Sequence, residues 1–358
     1  MTEQTPQSQQ SSTSKNGKPL LKVNNLKMYF PIVKGIFGRI GGYVKAADEV
    51  SFSIQPGETL GLVGESGCGK TTVGRCLVRA YKPTDGSILY RLADETEVDL
   101  AQVDSKELQA YRKDVRMIFQ DPFSSLNPRM NVFEIISEVL RVNNLCSLKD
   151  MEYLVAGIMK QCGLRPEYMR RYPHAFSGGE RQRIGIARAL VTSPRLVVCD
   201  EAVSGLDVSV RAQILNLMED LRRDMDLTYL FISHDLSVIR HICDRVAVMY
   251  VGKLVEVADA NTIYTSPLHP YTESLMSAVP IANPNLRNRR NRIRLEGEVA
   301  DPANPPSGCY FHPRCRYAQG ICADETPHLR ELKPGHFVSC HLAEELELAG
   351  ASMMGAQA

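Results

Sequence analysis

The chain has 358 residues, 44% of them apolar, enough to bury one large domain core with a smaller appendage, which excludes a wholly disordered polymer. Its 42 Lys and Arg balance 41 Asp and Glu, a near-neutral charge that argues against a nucleic-acid partner. No apolar run reaches the roughly 20 residues of a membrane span and no secretory leader is visible, so the cytoplasm is expected, where ten cysteines are thiols or metal ligands rather than disulfides.

Residues 1–18 are rich in Gln, Ser and Thr and are expected to form a disordered tail. Leu20–Phe30 and Lys45–Ile54 alternate apolar and polar residues, as strands of a half-exposed antiparallel sheet do, and Pro31–Val44 between them reads as a loop. Tyr43 in that loop is either a candidate for stacking on an adenine or an ordinary loop aromatic.

The apolar run Thr59–Val63 reads as a buried strand, and Lys70–Arg79 has helical composition. Between them lies Gly64-Glu65-Ser66-Gly67-Cys68-Gly69-Lys70-Thr71-Thr72, a strand, glycine loop and helix in the spacing of a phosphate cradle. Its glycines let successive N–H groups point inward at the positive end of a helix. Lys70 can then reach the β- and γ-phosphates of a nucleotide and Thr71 can ligate Mg²⁺.

Pro83–Gly86 is a turn and Ser87–Tyr90 a strand; Val115–Phe119 is another strand, ending at Gln120, which can touch a bound metal. From Val132 to Leu164 the apolar period is helical, which predicts an inserted helical lobe over about 121–176. Ser177 and Glu180 have the spacing of a capping box, so a helix is expected from Ser177 to about Val191, with Gly178 and Gly179 open to a neighbouring backbone or a phosphate.

Arg195–Glu201 is an apolar run that ends in two carboxylates, where Asp200 can hold Mg²⁺ through water and Glu201 can polarise an attacking water. Ser204–Asp207 is a turn, and the strand Thr228–Ile232 leads to His234, on the ligand side of a parallel sheet. Beyond Ala278 comes a linker with Arg287, Arg289, Arg290, Arg292 and Arg294, either a solvated face or a contact for anionic headgroups. Cys309, Cys315, Cys322 and Cys340 follow in a stretch with little apolar periodicity, which predicts a staple. Four thiolates suit an iron–sulfur cluster, zinc with a histidine such as His312 is an alternative, and free thiols are another.

These motifs, in this order over about residues 20–265, resemble the ABC-type ATPases. The resemblance implies an α/β P-loop fold: a RecA-like core, an antiparallel β subdomain and an inserted helical subdomain. It implies ATP and Mg²⁺ as cofactors, with Lys70, Glu201 and His234 catalytic. ATP contacts are implied at Tyr43, Gly64, Glu65, Ser66, Gly67, Cys68, Gly69, Lys70, Thr71, Thr72 and Gln120, and Mg²⁺ contacts at Thr71, Gln120 and Asp200. Two such domains face each other head to tail, which places Ser177, Gly178, Gly179 and Glu180 on the partner's ATP. Phe119–Met130, His269–Thr272 and Gly308–Cys315 are similar to the dipeptide, oligopeptide and nickel branch of importers, and Ala202-Val203 after the paired carboxylates looks like its F-type subunit.

That closer likeness implies a heterodimer with a D-type ATPase, two permease subunits, an extracytoplasmic binding protein and a place on the cytoplasmic face of the membrane. It also implies a [4Fe–4S] cluster on Cys309, Cys315, Cys322 and Cys340. The expected organisation is an ABC domain over 19–270, an extension over 271–345 and a disordered tail over 346–358. A nickel-chelate or oligosaccharide importer is the alternative in the same role. A soluble ATPase acting on nucleic acid or the ribosome fits less well, since no coiled-coil insertion or second ATPase domain is present in the chain.

Overall fold

The computed structural model describes residues 17–35, 38–121, 125–279 and 293–351. An antiparallel sheet of order β2-β1-β4-β5 is built from β1 (Leu21–Lys34), β2 (Arg39–Ile54), β4 (Asp85–Arg91) and β5 (Glu97–Asp99). The larger sheet, of order β11-β12-β10-β9-β3-β8-β7-β6, uses β3 (Thr59–Val63), β6 (Val115–Ile118), β7 (Leu196–Asp200), β8 (Thr228–Ile232) and β9 (Arg245–Tyr250). Its remaining strands are β10 (Lys253–Asp259), β11 (Arg330–Lys333) and β12 (His336–Val338). Strands β6, β7, β8, β3 and β9 are parallel neighbours, and β10, β12 and β11 continue the sheet antiparallel.

Strands β3, β7 and β8 are buried along their whole length, as parallel strands covered on both faces must be. Their alternate residues feed two cores. Val63, Val197, Cys199, Tyr229 and Phe231 join the core shared with the helical lobe, whereas Leu60, Leu62, Val198, Leu230 and Ile232 join the core beneath the antiparallel sheet.

The helices are α1 (Lys70–Leu77), α2 (Ser105–Tyr111), α3 (Val132–Val142), α4 (Leu148–Gln161), α5 (Gly178–Leu190) and α6 (Val208–Asp224). They continue as α7 (Leu236–Ile242), α8 (Ala260–Thr265), α9 (Pro270–Ala278) and α10 (Gly320–Asp324). The expected lobe consists of α3 and α4 followed by two 3-10 turns, Pro166–Arg170 and Pro173–Ala175. Asn131 starts α3 with a reciprocal capping box, its side chain accepting from Glu134 N while its own N–H donates to the Glu134 carboxylate.

Two expectations need correction, the loop over 31–44 and the disordered start of the last tail. Pro31–Val44 is not a loop, because β1 and β2 run on as a hairpin that pairs Pro31 with Tyr43 and Lys34 with Arg39. β4 pairs with β1 only between Leu21 and Lys27, so Pro31 falls where β1 has one neighbouring strand and an open edge, the setting in which a strand tolerates proline. The extension from 271 is packed on the main domain: α9 is buried and β12 pairs with β10, so this region completes the main sheet. Nor is 346–351 loose, since Ala351 N donates to Tyr264 O at 2.7 Å and Ala349 N to the Glu273 carboxylate at 3.0 Å. Residues 1–16 and 352–358 of the expected tails, and Arg287, Arg289, Arg290 and Arg292, lie outside the described residues.

Candidate functional site

The site collects at the carboxyl ends of β3, β6, β7 and β8, the edge of a parallel sheet where ligands bind. At the end of β3 the chain curls through Gly64–Gly69 into α1. Gly69 has φ +106°, and a Cβ there would lie 1.9 Å from Ala46 O, so only glycine closes this turn against β2. Lys70, buried at the start of α1, donates from Nζ to Gly64 O at 2.8 Å and Glu65 O at 3.0 Å, with Cys68 Sγ at 3.6 Å. The ammonium is thus folded back into the loop that Gly64, Glu65, Ser66, Gly67 and Cys68 form, and Thr72 follows it on α1.

Asp200 ends β7 with 3% of its surface exposed, and Thr71 Oγ1 donates to its Oδ1 at 2.9 Å. Burial pushes this carboxyl above the ordinary carboxylate range, against the Thr71 hydrogen bond and the Arg75 and Lys70 charges. A hydroxyl and a carboxylate converging in this way are hard oxygen ligands, and a cation would relieve the burial of the charge. The donor set therefore fits Mg²⁺, which takes one or two carboxylates and completes its shell with water and phosphate.

One residue on, Glu201 adopts the left-handed region at φ +49°, where the chain turns sharply off the strand. Its N–H donates to Ile232 O at 2.9 Å, which fixes the turn to the end of β8. Gln120 Nε2 donates to one carboxylate oxygen at 2.9 Å, and His234 Nδ1 lies 3.0 Å from the other. Three strand ends therefore deliver Gln120, Glu201 and His234 to one point. They line a cleft of about 600 Å³ together with Ser177, Ser204 and Asp207.

Ser177 and Glu180 form the expected capping box: Glu180 N donates to Ser177 Oγ at 3.3 Å, and Ser177 N donates to the Glu180 carboxylate at 2.9 Å. The Ser177 backbone bond, then its hydroxyl, hold the Glu180 carboxyl below its ordinary range. The two glycines differ. A Cβ on Gly179 would meet Val210 Cγ1 at 2.6 Å, so this glycine lets α5 pack on α6, while Gly178 meets nothing closer than Leu206 at 3.9 Å.

Tyr43 lies on β2, 45% exposed, and Ala46, three residues further on, is the residue against Gly69. Tyr43 therefore stands about 10 Å along the strand from the rim of the cradle.

The four tail cysteines carry free thiols and line one cavity of about 20 Å³. The expected [4Fe–4S] cluster is nevertheless overturned: among the described residues no group of three or more His, Cys, Asp or Glu is disposed to hold a metal ion. The zinc alternative falls with it. Burial pushes the Cys309 thiol up to about 11 and Cys340 up to about 12. The premise of a tail without a core also fails. Phe311 is 2% exposed and packs between Tyr250 and Tyr271, with ring centroids at 5.2 and 5.4 Å, so the tail borrows the core of the main domain.

The contacts of Glu65 escaped the sequence reading. Its N–H donates to Tyr271 Oη and its carboxylate receives Arg314, both from the C-terminal region. The His269-Pro270-Tyr271 motif was visible in the sequence, but nothing local tied it to the phosphate loop.

A family model described as ABC transporter matches residues 47–204, and one described as oligopeptide/dipeptide transporter, C-terminal region, matches 255–322. The oligopeptide transport ATP-binding protein AppF of Bacillus subtilis is 50% identical over 330 residues, which cover 92% of this chain and 99% of that protein. The dipeptide transport ATP-binding protein DppF of Haemophilus influenzae is 48% identical over 326 residues, 91% of this chain and 97% of that protein. Among solved structures, the dimeric ATP-binding cassette MJ0796 bound to ADP and Pi superposes with a TM-score of 0.58 at 23% identity, covering 67% of this chain and 98% of that one. At that identity the likeness concerns the fold.

Proposed function

Since this chain belongs to the ABC transporter family, in the branch with the oligopeptide/dipeptide C-terminal region, we propose that it is the ATP-hydrolysing subunit of a peptide importer. The observation that carries the chemistry is the placement of Glu201 between Gln120 and His234, beside the Thr71–Asp200 pair. The transported class rests on relatives that align along nearly the whole chain and are oligopeptide and dipeptide transport proteins.

In this reading the loop from Gly64 to Gly69 and the N-terminus of α1 cradle the phosphates with backbone N–H groups. Lys70 exchanges its carbonyl partners for phosphate oxygens, which gives it a reason to be held nearby and pre-oriented. Thr71 and Asp200, with Gln120 at the rim, would hold Mg²⁺, which when bound neutralises charge on the β- and γ-phosphates. Glu201 orients the attacking water and accepts its hydrogen bond, while His234 supports the carboxylate and reaches toward the γ-phosphate. Tyr43 is proposed to meet the adenine side of the cleft. The catalytic effect is one of position and charge, with no covalent intermediate on the protein.

The exposed N-terminus of α5 is proposed to complete the site of a second ATPase in trans, with Ser177, Gly178 and Glu180 at the positive end of the helix dipole. The partner proposed is a D-type ATPase, and the pair sits on two permease subunits supplied by an extracytoplasmic binding protein. No described helix is long and apolar enough to cross a membrane. The seat proposed, through the permeases, is on the cytoplasmic face. The test is to purify the complete transporter from cells that express it at native level and measure ATP hydrolysis with peptide-loaded binding protein. Stimulation by peptide is expected; stimulation only by nickel chelate or oligosaccharide would reassign the cargo.

A further inference from the structure

Glu65 is the second residue of the phosphate loop, and it is gripped by two residues of the C-terminal region. Tyr271 Oη accepts from its N–H at 2.8 Å, while Arg314 donates Nη1 to Oε2 at 2.7 Å and Nη2 to Oε1 at 3.2 Å. The pair is the fork-to-fork geometry that gives an arginine and a carboxylate both strength and orientation. Arg314 ends a short 3-10 turn, His312–Arg314, directly after the anchored Phe311, so its own backbone is held in place.

The Arg314 side chain is only 7% exposed. Its Nε has no partner among the described residues, and Nη1 reaches Tyr250 Oη only at 3.4 Å. A guanidinium buried in this way is costly unless a carboxylate meets it, so Glu65 is the group on which its burial depends. On the other side, the Glu65 carbonyl is one of two oxygens that hold the Lys70 ammonium. A continuous path of contacts thus runs from Arg314 through Glu65 to Lys70, across a sequence separation of 249 residues.

Building on the ATPase reading above, we infer that Arg314 is a positioning residue for ATP binding: by clamping Glu65 it fixes the first turn of the phosphate loop and the place from which Lys70 reaches the phosphates. Other contacts hold the tail without touching the loop. Tyr310 Oη donates to Asp48 at 2.8 Å, and Arg316 donates to Glu273 at 3.0 Å. Removal of the clamp therefore leaves the tail tethered, which separates positioning from docking.

The experiment is calorimetric titration of the full chain with Mg–ATP in a Glu201→Gln background, paired with steady-state kinetics of the assembled transporter carrying the native Glu201. Arg314→Gln should weaken ATP binding about tenfold and raise KM to match, with kcat within about threefold, the pattern of lost ground-state binding. Arg314→Lys, which keeps the charge but not the fork, should recover part of the loss. Glu65→Gln with Arg314→Gln together should bind no more weakly than the worse single variant, because the two residues act as one unit. Tyr310→Phe serves as the control that loosens the tail elsewhere, and it should bind ATP as the unsubstituted chain does. Unchanged ATP affinity in folded Arg314→Gln would overturn the inference, as would an equal loss in Tyr310→Phe, since general docking would then be the cause. If the Glu201→Gln background itself, with no further substitution, bound no Mg–ATP, the ATPase reading would fall and the inference with it. Failure of the inference alone leaves that binding intact and insensitive to Arg314.

Discussion

Glu201 occupies a left-handed backbone position that a non-glycine residue adopts only when its surroundings over-determine it. The bond from its N–H to Ile232 O and the two side chains on its carboxylate supply that constraint. Glu201→Gln preserves the shape and removes the charge. We expect turnover in the assembled transporter to fall at least about 100-fold while ATP affinity stays within about twofold, since a positioned base is worth that much and the phosphate loop is untouched. Near-normal steady-state hydrolysis would take Glu201 out of the mechanism. Gly69→Ala tests the cradle itself. Its Cβ would stand 1.9 Å from Ala46 O at a backbone φ of +106°, so a loss of about 1–3 kcal/mol from backbone strain, plus the clash, is expected along with failure to bind ATP. A variant that melts at the original temperature and binds ATP would show that the loop can relax.

At the scale of elements, α9 enters the core through a histidine cap. His269 Nδ1 accepts from Tyr271 N at 3.0 Å, which requires the neutral ring, and complete burial pushes its pKa from 6.5 down to about 3. The unfolded chain takes up this proton as pH falls through about 6.5, whereas the folded chain refuses it until about 3. The unfolded state therefore binds more protons in that window. The contribution of His269 is complete above about pH 6.5 and is lost at about 1.4 kcal/mol per pH unit on acidification. His269→Asn keeps a capping acceptor that does not titrate, so it should flatten the dependence of unfolding free energy on pH by one proton. Urea unfolding between about pH 7 and pH 5 measures this, and equal slopes in both proteins would remove His269 as the source. The same helix presents Tyr271 to Glu65, so the cap also sets one side of the phosphate loop.

Across the whole molecule, the cleft beside Glu201 and the N-terminus of α5 are open, which fits a site finished by a second subunit. The chain alone should bind ATP yet hydrolyse it slowly, and adding the proposed D-type ATPase with the permeases should raise turnover by about two orders of magnitude, the effect of supplying missing charge-stabilising donors. Ser177→Ala should leave binding by the isolated chain unchanged and lower turnover of the assembly. It also loses an N-cap worth about 1 kcal/mol, so its stability is measured alongside. A native complex in which this chain is the sole ATPase would exclude the heterodimer, though not the motor role.

The nucleotide motifs were legible in the sequence because each is local. A strand, glycine loop and helix follow one another within 59–77, the capping box joins residues three apart, and a buried strand announces itself by an unbroken apolar run. Strand ends on a parallel sheet share one edge, so the order of the motifs was enough to bring Gln120, Glu201 and His234 together. The hairpin over Pro31–Val44 was not legible, because a proline is compatible with a strand only where the neighbouring strand stops short, and that depends on sheet register. The tail was misjudged for a related reason. Read alone it has few apolar residues, which argued for a metal staple; in the folded chain Phe311 enters an aromatic cluster formed by Tyr250 and Tyr271, and β12 takes its ladder from β10. Composition reports what a segment can bury by itself, and only tertiary structure decides what it buries against. The Arg314–Glu65 clamp lies wholly on that second side, since an ion pair between residues this far apart exists only once the sheet order is set.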